Sequence, residues 1–203
     1  GIDICYSGTQ KCLNCPPGLA PITFNEKAMG VIRNRKTKVQ SWYLDLSLIE
    51  KYWSEGRVYH HTAPISMIYG LREALRIINE EGLEKRWERH KRNSLALISG
   101  IEAMGLKMHP PEHRLPSLNS ISIPNGVPDL DVRKTLLSNF NIEIGGGLGA
   151  LKGKIWRVGL MGLNSNERNV MLVLDALGRI LKNKGYSAEP IKGIEAAMKV
   201  YGE

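Results

Sequence analysis

Apolar positions early in the chain come in short runs. Residues 2–6 and 20–24 are each apolar over the length of a strand and are bounded by small polar residues, proline or glycine, which predicts two short strands. Asn25 is a good helix cap, so a helix is predicted over residues 26–34. Residues 49–53 end on an aromatic pair and predict a helix or the end of a turn.

Farther along, apolar residues recur at helical spacing in two consecutive segments. The first segment contains Met67, Ile68, Leu71, Leu75 and Ile78. In the second segment the helical pattern runs through Leu83, Trp87, Ser94, Ile98 and Ile101. Gly82 lies between the two segments and predicts a kink or a domain boundary. We therefore divide the chain into residues 1–82 and residues 83–203.

Beyond Gly105, strand-like and helical segments are mixed. Short apolar segments predict strands at residues 106–109, 119–124, 142–144 and 154–158. Longer segments predict helices at residues 129–139 and 164–184. This order is typical of a small α+β domain in which helices cover one face of an antiparallel sheet.

Charge and composition narrow the classes of partner. A formal net charge of +8 would suit nucleic acid or a membrane surface. However, the basic residues alternate with acids, as in residues 84–89, and the densest basic run, residues 33–38, lacks the interleaved aromatics of a base-stacking surface. Attraction of small anions such as phosphate and oxoacids explains the charge, so no nucleic-acid partner is predicted. No apolar run approaches the roughly 20 residues that cross a bilayer, so no membrane partner is predicted.

Three cysteines lie near the start of the chain: Cys5, Cys12 and Cys15. Cys12 and Cys15 form a Cys-x-x-Cys pair, but a structural zinc site needs a second pair, and a redox pair should open a helix where residues 16–18 are Pro-Pro-Gly. We interpret the cysteines as reduced thiols of an intracellular protein. A modulating role for Cys12, beside Lys11, stays open.

Lys11 is the first candidate for chemistry. It follows the first predicted strand, and the Pro-Pro-Gly turn prevents a helix from forming beyond it. A lysine in such a loop can be desolvated, and its amine can then attack a carbonyl. The alternative is a solvated surface lysine. Ser7 and Lys11 are one residue too far apart for the Ser-x-x-Lys of acyl-transfer enzymes.

Arg157 is the second candidate, because it lies among apolar neighbours in the last predicted strand. A guanidinium there needs an anionic partner, which can be a protein acid or the carboxylate of a ligand. The preceding glycine-rich residues 145–149 resemble a dinucleotide motif, but they lead into a strand instead of the helix that such a motif requires. We interpret them as a flexible or close-packed loop at the edge of a substrate pocket, with Gly147 nearest the ligand.

Tyr59, His60, His61 and Thr62 form a third candidate group. Neighbouring histidines on an extended chain point to opposite sides and chelate a metal poorly, whereas the two hydroxyls suit phosphate oxygens. The other metal-like residues, His109, Glu112 and His113, lie around a Pro-Pro loop and are interpreted as surface residues. No metal site is predicted.

Four stretches of the sequence resemble the class V pyridoxal-phosphate (PLP) aminotransferases of the alanine-glyoxylate / serine-pyruvate branch, which includes insect 3-hydroxykynurenine transaminases. They are residues 6–18, residues 35–38 with 43–45, residues 59–62, and residues 146–149 followed by 156–159. The stretches occur in order over nearly the whole chain, which makes the resemblance more specific than any single motif.

The resemblance implies an α/β protein of PLP-dependent transferase fold type I, in which residues 1–82 end the large PLP-binding domain and residues 83–203 form the small C-terminal domain. It implies that Lys11 forms a Schiff base with PLP and moves a proton, and that Gln10 lies beside the cofactor. By the same resemblance Tyr59 and Thr62 reach the PLP phosphate of a second subunit in a homodimer, and Arg157 binds the substrate carboxylate.

The function implied is transfer of an amino group from alanine or serine to glyoxylate or pyruvate, with small amino-acid and oxoacid substrates. A 3-hydroxykynurenine transaminase is an alternative on the same scaffold. A cysteine desulfurase is excluded because no cysteine lies beyond Cys15. The chain has no initiator methionine, and we expect it to be the C-terminal portion of a longer protein, inactive or a noncatalytic interaction fragment by itself. An intracellular location, in the peroxisome or mitochondrion, is implied by the resemblance alone.

Overall fold

The computed structural model describes residues 1–202. Contacts divide the chain into two units, Gly1–Arg76 and Ile77–Glu203. This division falls a few residues before the boundary that the sequence predicts at Gly82, and that domain boundary stays a prediction. No helix within the described residues is long and apolar enough to cross a membrane.

The first unit begins with a two-stranded antiparallel sheet. Strand β1 (Ile4–Tyr6) pairs with β2 (Ile22–Phe24), which confirms the two strands predicted from apolar runs. Helix α1 (Glu26–Arg33) follows, and the Asn25 side chain caps it by accepting a hydrogen bond from the backbone of the third helical residue. A 3-10 turn at Trp42–Leu44 leads to helix α2 (Leu46–Trp53), which the side chain of the preceding aspartate caps.

Helix α3 (Ile65–Glu81) and helix α4 (Leu83–Ala103) are separated by one residue. Gly82 has a φ of 82°, a left-handed value that only glycine adopts without strain, so the helix breaks there. The predicted kink is therefore observed.

A four-stranded antiparallel sheet, ordered β3-β4-β6-β5, forms the centre of the second unit. Its strands are β3 (Lys107–Met108), β4 (Leu118–Ser122), β5 (Gly145–Gly146) and β6 (Ile155–Gly159). The predicted strand at residues 142–144 is wrong, because the strand that pairs with β6 consists of Gly145 and Gly146. The isoleucines that suggested a strand pack into the core or against it without pairing.

Three more helices complete the second unit: α5 (Asp129–Phe140), α6 (Glu167–Asn183) and α7 (Pro190–Tyr201). Helix α7 was not predicted, although Pro190 at its start and Gly202 at its end are ordinary signals for helix boundaries. Helices α4, α6 and α7 pack together, and one hydrophobic core lies between them and the sheet. Its largest fully buried side chains include Trp156, Leu97, Ile101, Met104, Ile121, Leu136, Leu174, Leu177 and Leu181.

A polar network fastens α4 to the loop after β6. Glu81 pairs with Arg86 and Arg89, and the Arg89 hydrogen bond is the largest of several causes that lower the pKa of the Glu81 carboxyl to about 2. Arg89 also donates to the backbone carbonyls of Gly162 and Ser165. The network therefore joins two segments that are distant in sequence.

His90 continues this network with a defined protonation state. Its Nε2 accepts a hydrogen bond from the Gly162 backbone N–H at 3.1 Å, so Nε2 carries no proton, and its Nδ1 donates to the Arg86 carbonyl at 2.7 Å. Burial is the main cause that lowers the pKa of His90. The ring is accordingly a neutral, structural histidine.

Candidate functional site

The loop that carries Lys11 is closed by hydrogen bonds from buried residues on either side. The Thr9 side chain is fully buried and donates to the Pro16 carbonyl at 2.9 Å, while the Cys15 backbone N–H donates to the Thr9 carbonyl at 3.0 Å. The Cys15 thiol is also buried, 3.6 Å from the Gly70 carbonyl on α3. Sequence reasoning missed Thr9 as the residue that organises this loop, since its only signal was a small polar residue after a strand.

Within this loop Lys11 and Gln10 are both exposed. Lys11 forms no ion pair with any carboxylate in residues 1–202, so no protein acid engages its amine. The amide of Gln10 folds back over Gly8, where a Cβ would lie 2.7 Å from the Gln10 Oε1 atom. Within the described residues, none of Cys5, Cys12 and Cys15 forms a disulfide.

Tyr59 and Thr62, which the sequence pairs as phosphate ligands, are brought together by the structure. Their hydroxyl oxygens lie 3.0 Å apart, and both side chains are exposed. One of the two hydroxyls donates to the other, so the remaining hydrogen can be donated to an oxygen of a ligand such as phosphate. Across the described residues, no hydrogen bond joins either hydroxyl to Lys11.

The two histidines between them do not point apart, and the expectation from extended-chain geometry is wrong. The His60 Nδ1 and His61 Nδ1 atoms lie 2.7 Å apart, because the chain turns here and aromatic rings pack on both histidines. His60 is buried, stacks on Trp42 with a centroid separation of 4.1 Å, and donates from Nε2 to the Trp42 carbonyl. The pair braces the segment from Tyr59 to Thr62.

Within the described chain no group of three or more potential ligands could hold a metal.

Arg157 lies in the middle of β6 and is half-buried, with Trp156 and Val158 buried on either side. Its Nε donates to the Gly146 carbonyl at 2.7 Å. Within residues 1–202 its Nη1 and Nη2 atoms have no protein acceptor and no carboxylate partner. The alternative that Arg157 pairs with a protein acid is therefore not observed, and the end of its guanidinium is open to an anion.

Arg157 differs in this respect from other partly buried arginines of the second unit. Arg86 and Arg89 pair with Glu81, and Arg133 pairs with Asp129. A half-buried guanidinium without an acid costs free energy unless it meets an anion, so Arg157 stays a candidate for binding a ligand anion.

Gly147 has a packing reason to be glycine. A Cβ there would lie 1.9 Å from the Leu151 carbonyl oxygen, so no side chain fits. Its backbone N–H donates to Ile155 at 3.0 Å, which extends the contact of β5 with β6. Contact of Gly147 with a ligand stays a prediction.

The glycine whose carbonyl accepts the hydrogen bond from Arg157 is Gly146, the residue before Gly147. Sequence reasoning missed Gly146 because a backbone carbonyl acceptor leaves no trace in residue type.

The chain is similar to a known protein family and to individual proteins whose functions are named. The family described as Aminotransferase class-V matches residues 1–168. Among curated relatives, the (S)-ureidoglycine–glyoxylate transaminase of Bacillus subtilis is 42% identical over 98% of this chain and 53% of its own length. The alanine–glyoxylate aminotransferase of Rattus norvegicus is 44% identical over 90% of this chain and 45% of its own.

Solved structures of aminotransferases also superpose on this chain. The ureidoglycine-glyoxylate aminotransferase of Bacillus subtilis superposes with a TM-score of 0.96 at 44% identity, covering 100% of this chain and 52% of that one. The pyridoxamine-pyruvate aminotransferase of Mesorhizobium loti superposes with a TM-score of 0.93 at 30% identity, covering 98% and 52%. The fold is that of part of a fold type I PLP-dependent transferase, as the sequence predicts.

The chain belongs to the class V aminotransferase family. It spans about half the length of the curated relatives that it matches.

Proposed function

We propose that the protein is a PLP-dependent transaminase that transfers an amino group to glyoxylate. The observation that carries this proposal is the open guanidinium of Arg157, inside the family-matched segment, on a chain whose relatives are named as glyoxylate aminotransferases. A guanidinium whose Nη atoms are free suits the carboxylate that every α-amino acid and α-oxoacid carries.

The residues present fit PLP in the chemistry of their donors. Lys11 offers an amine without an acid partner, and Tyr59 and Thr62 offer paired hydroxyls for a phosphate. When bound, PLP supplies an electron sink that makes the Cα proton of an amino acid removable. In this proposal Lys11 holds the cofactor covalently and moves that proton, Gln10 lies beside the cofactor, and Gly147 borders the substrate.

Arg157 orients the substrate, because its two Nη groups can bind both oxygens of one carboxylate. That contact also helps to exclude water from the acid, since it replaces the hydration of both ions with paired hydrogen bonds.

The amino donor is the least defined part of the proposal. Alanine or serine follows from the resemblance, and the rat relative named for alanine supports alanine. A second candidate donor is (S)-ureidoglycine, because the Bacillus subtilis relative is named for it and aligns over 98% of this chain. 3-Hydroxykynurenine stays as an alternative donor, and pyruvate as an alternative acceptor, as the resemblance implies. A role in glyoxylate metabolism follows only if glyoxylate is the acceptor.

We further propose a homodimer in which Tyr59 and Thr62 serve the phosphate of the partner subunit's cofactor. The exposure of both hydroxyls and the lack of a hydrogen bond to Lys11 within residues 1–202 support this arrangement. Because the chain spans about half the length of its curated relatives, we expect the chain by itself to have little turnover. The peroxisomal or mitochondrial location stays a prediction.

The first test is Lys11→Ala in the complete protein. We expect the PLP absorbance band of the covalently bound cofactor to disappear and turnover to be lost, because no other amine replaces Lys11. Lys51→Ala, an exposed lysine of α2 in the same unit, is the matched control and should keep the band. An unchanged band in Lys11→Ala contradicts the assignment.

The second test is Arg157→Ala. We expect KM for glyoxylate and for the amino donor to rise by about 100-fold, which corresponds to loss of about 3 kcal/mol of carboxylate binding. Arg179→Ala, at an exposed ion pair of α6, is the control. A near-normal KM in Arg157→Ala places the carboxylate site elsewhere.

A further inference from the structure

Strand β5 has no side chains of its own that could hold it in place. It consists of two glycines at the edge of the sheet, so it has no side chains to pack and backbone freedom that other residues lack. Nevertheless the Gly146 carbonyl accepts the hydrogen bond from Arg157 Nε. The orientation of Arg157 therefore depends on what keeps β5 in place.

The pairing of β5 with β6 puts one arginine on each face of the glycine strand. Gly145 lies opposite Arg157, and Gly146 lies opposite Trp156. A Cβ on Gly145 would lie 3.2 Å from Arg157 Nη2, whereas a Cβ on Gly146 would lie 3.3 Å from the Arg133 guanidinium. Because successive strand positions face opposite sides, the two guanidinium groups enclose β5 between them.

The second arginine is itself fixed by a bidentate ion pair on α5, the helix that packs against β5. Arg133 Nε and Nη2 donate to the two Asp129 oxygens at 2.8 Å and 3.1 Å. Both side chains are largely buried, with exposed fractions of 28% and 17%. The pairing lowers the pKa of Asp129 and raises that of Arg133, so both stay charged.

We propose that Asp129 and Arg133 are positioning residues for the carboxylate-binding Arg157. The Arg133 guanidinium of this pair packs against Gly146 in β5. This packing keeps the Gly146 carbonyl within hydrogen-bond distance of Arg157 Nε. With Nε occupied, only Nη1 and Nη2 remain, so a substrate carboxylate meets the guanidinium end-on. This inference rests on the proposed function for the role of Arg157, but the link from Asp129 to Gly146 to Arg157 is independent of it.

The kinetic test uses Asp129→Asn in the complete protein, which keeps the size of the side chain and removes its charge. We expect KM for glyoxylate to rise about 5- to 10-fold with kcat within about 2-fold, because binding is weakened and the chemical groups are untouched. The half-reaction with ethylamine, which has no carboxylate, should not change. Asp129→Glu, which can still pair with Arg133, should retain most of the affinity.

Helix α6 offers a matched control. Asp175 and Arg179 also form an i,i+4 ion pair in the same unit, through one hydrogen bond and at a more exposed site, and within the described residues no hydrogen bond or ion pair joins either residue to β5. Asp175→Asn should leave KM unchanged. A merely structural role for Asp129 would lower the urea midpoint with KM unchanged, and that result overturns the proposal.

A second readout does not involve substrate or cofactor chemistry. In an arginine-labelled protein, NMR should show the Nε–H of Arg157, assigned by its loss in Arg157→Lys, exchanging slowly with water because it donates to Gly146. Asp129→Asn should accelerate this exchange at least 5-fold, and Asp175→Asn should not. Unchanged exchange overturns the positioning link.

The two readouts separate failure of this inference from failure of the proposed function. If Arg157→Ala leaves KM unchanged while exchange at Arg157 still responds to Asp129, the carboxylate assignment of Arg157 fails and the positioning role falls with it. If Arg157→Ala raises KM and Asp129→Asn changes neither readout, only the positioning role fails.

Discussion

The two units of the chain solve the burial of apolar surface differently. The second unit encloses one continuous core of aliphatic and aromatic side chains, many of them fully buried. In the first unit the buried apolar residues are few, namely Cys15, Ala28 and Met29, and large apolar side chains lie on its surface. Those exposed side chains include Ile2, Tyr6, Val31, Trp53, Tyr59 and Tyr69.

This difference matches the proposed division of labour. Large exposed apolar patches usually mark surfaces that another chain or segment covers. The first unit carries Lys11, Tyr59 and Thr62, and a cofactor site shared with further polypeptide would need such surfaces. The second unit carries Arg157 on a sheet that its own core stabilises.

The largest difference in unfolding free energy should come from a leucine-to-alanine substitution made once in each unit. Leu174→Ala on α6 removes a fully buried side chain and should cost about 3–4 kcal/mol of unfolding free energy, because a cavity remains. Leu75→Ala on α3, where the side chain is 44% exposed, should cost under about 1 kcal/mol. Urea denaturation measures both. A cost at Leu75 equal to that at Leu174 would show that its surface is covered in solution.

Two helical glycines, one in each unit, sharpen the comparison. Gly100→Ala on α4 would place a Cβ 2.5 Å from Leu174 Cδ1 and 2.8 Å from the Gly193 carbonyl, and overpacking of this kind costs about 1–3 kcal/mol. Gly30→Ala on α1 meets nothing within 4 Å and should stabilise the chain by about 0.5–1 kcal/mol, since alanine favours helix. Thermal unfolding of the pair should give shifts of opposite sign, and shifts of the same sign would refute the packing difference.

The smallest effect concerns one ion pair in each unit and its pH dependence. The folded-state pKa of Glu81, about 2, lies below the unfolded value of 4.5, so its contribution to stability is complete above pH 4.5 and is lost as the pH falls toward 2. After allowance for solvent screening, Glu81→Gln should cost about 1–2 kcal/mol at pH 7 and little near pH 2.

Glu73→Gln is the matched control in the first unit. Glu73 pairs with Arg76 through two hydrogen bonds, but both side chains are about half exposed, so its loss should be small at any pH. Stability should be followed by urea unfolding between pH 2 and pH 7. Equal pH profiles for Glu81→Gln and Glu73→Gln would contradict the role assigned to burial at Glu81.

Local elements of the fold were predictable because their signals are local. Asn25 caps α1, Gly82 separates α3 from α4, and the apolar runs around β1 and β2 mark strands without reference to the rest of the chain. The error at residues 142–144 has the opposite origin. Isoleucines there read as a strand, but the residues that pair with β6 are Gly145 and Gly146, where a Cβ would lie close to the guanidinium groups of Arg157 and Arg133.

The sequence by itself determined the family, the two helical segments that meet at Gly82, and the choice of Lys11, Tyr59, Thr62 and Arg157 as candidates, because residue type and order carry that information. The tertiary structure decided that His60 faces His61, that Thr9 closes the lysine loop, and that the Gly146 carbonyl holds Arg157. These contacts depend on backbone atoms and on packing between distant segments, and a backbone carbonyl is the same in every residue.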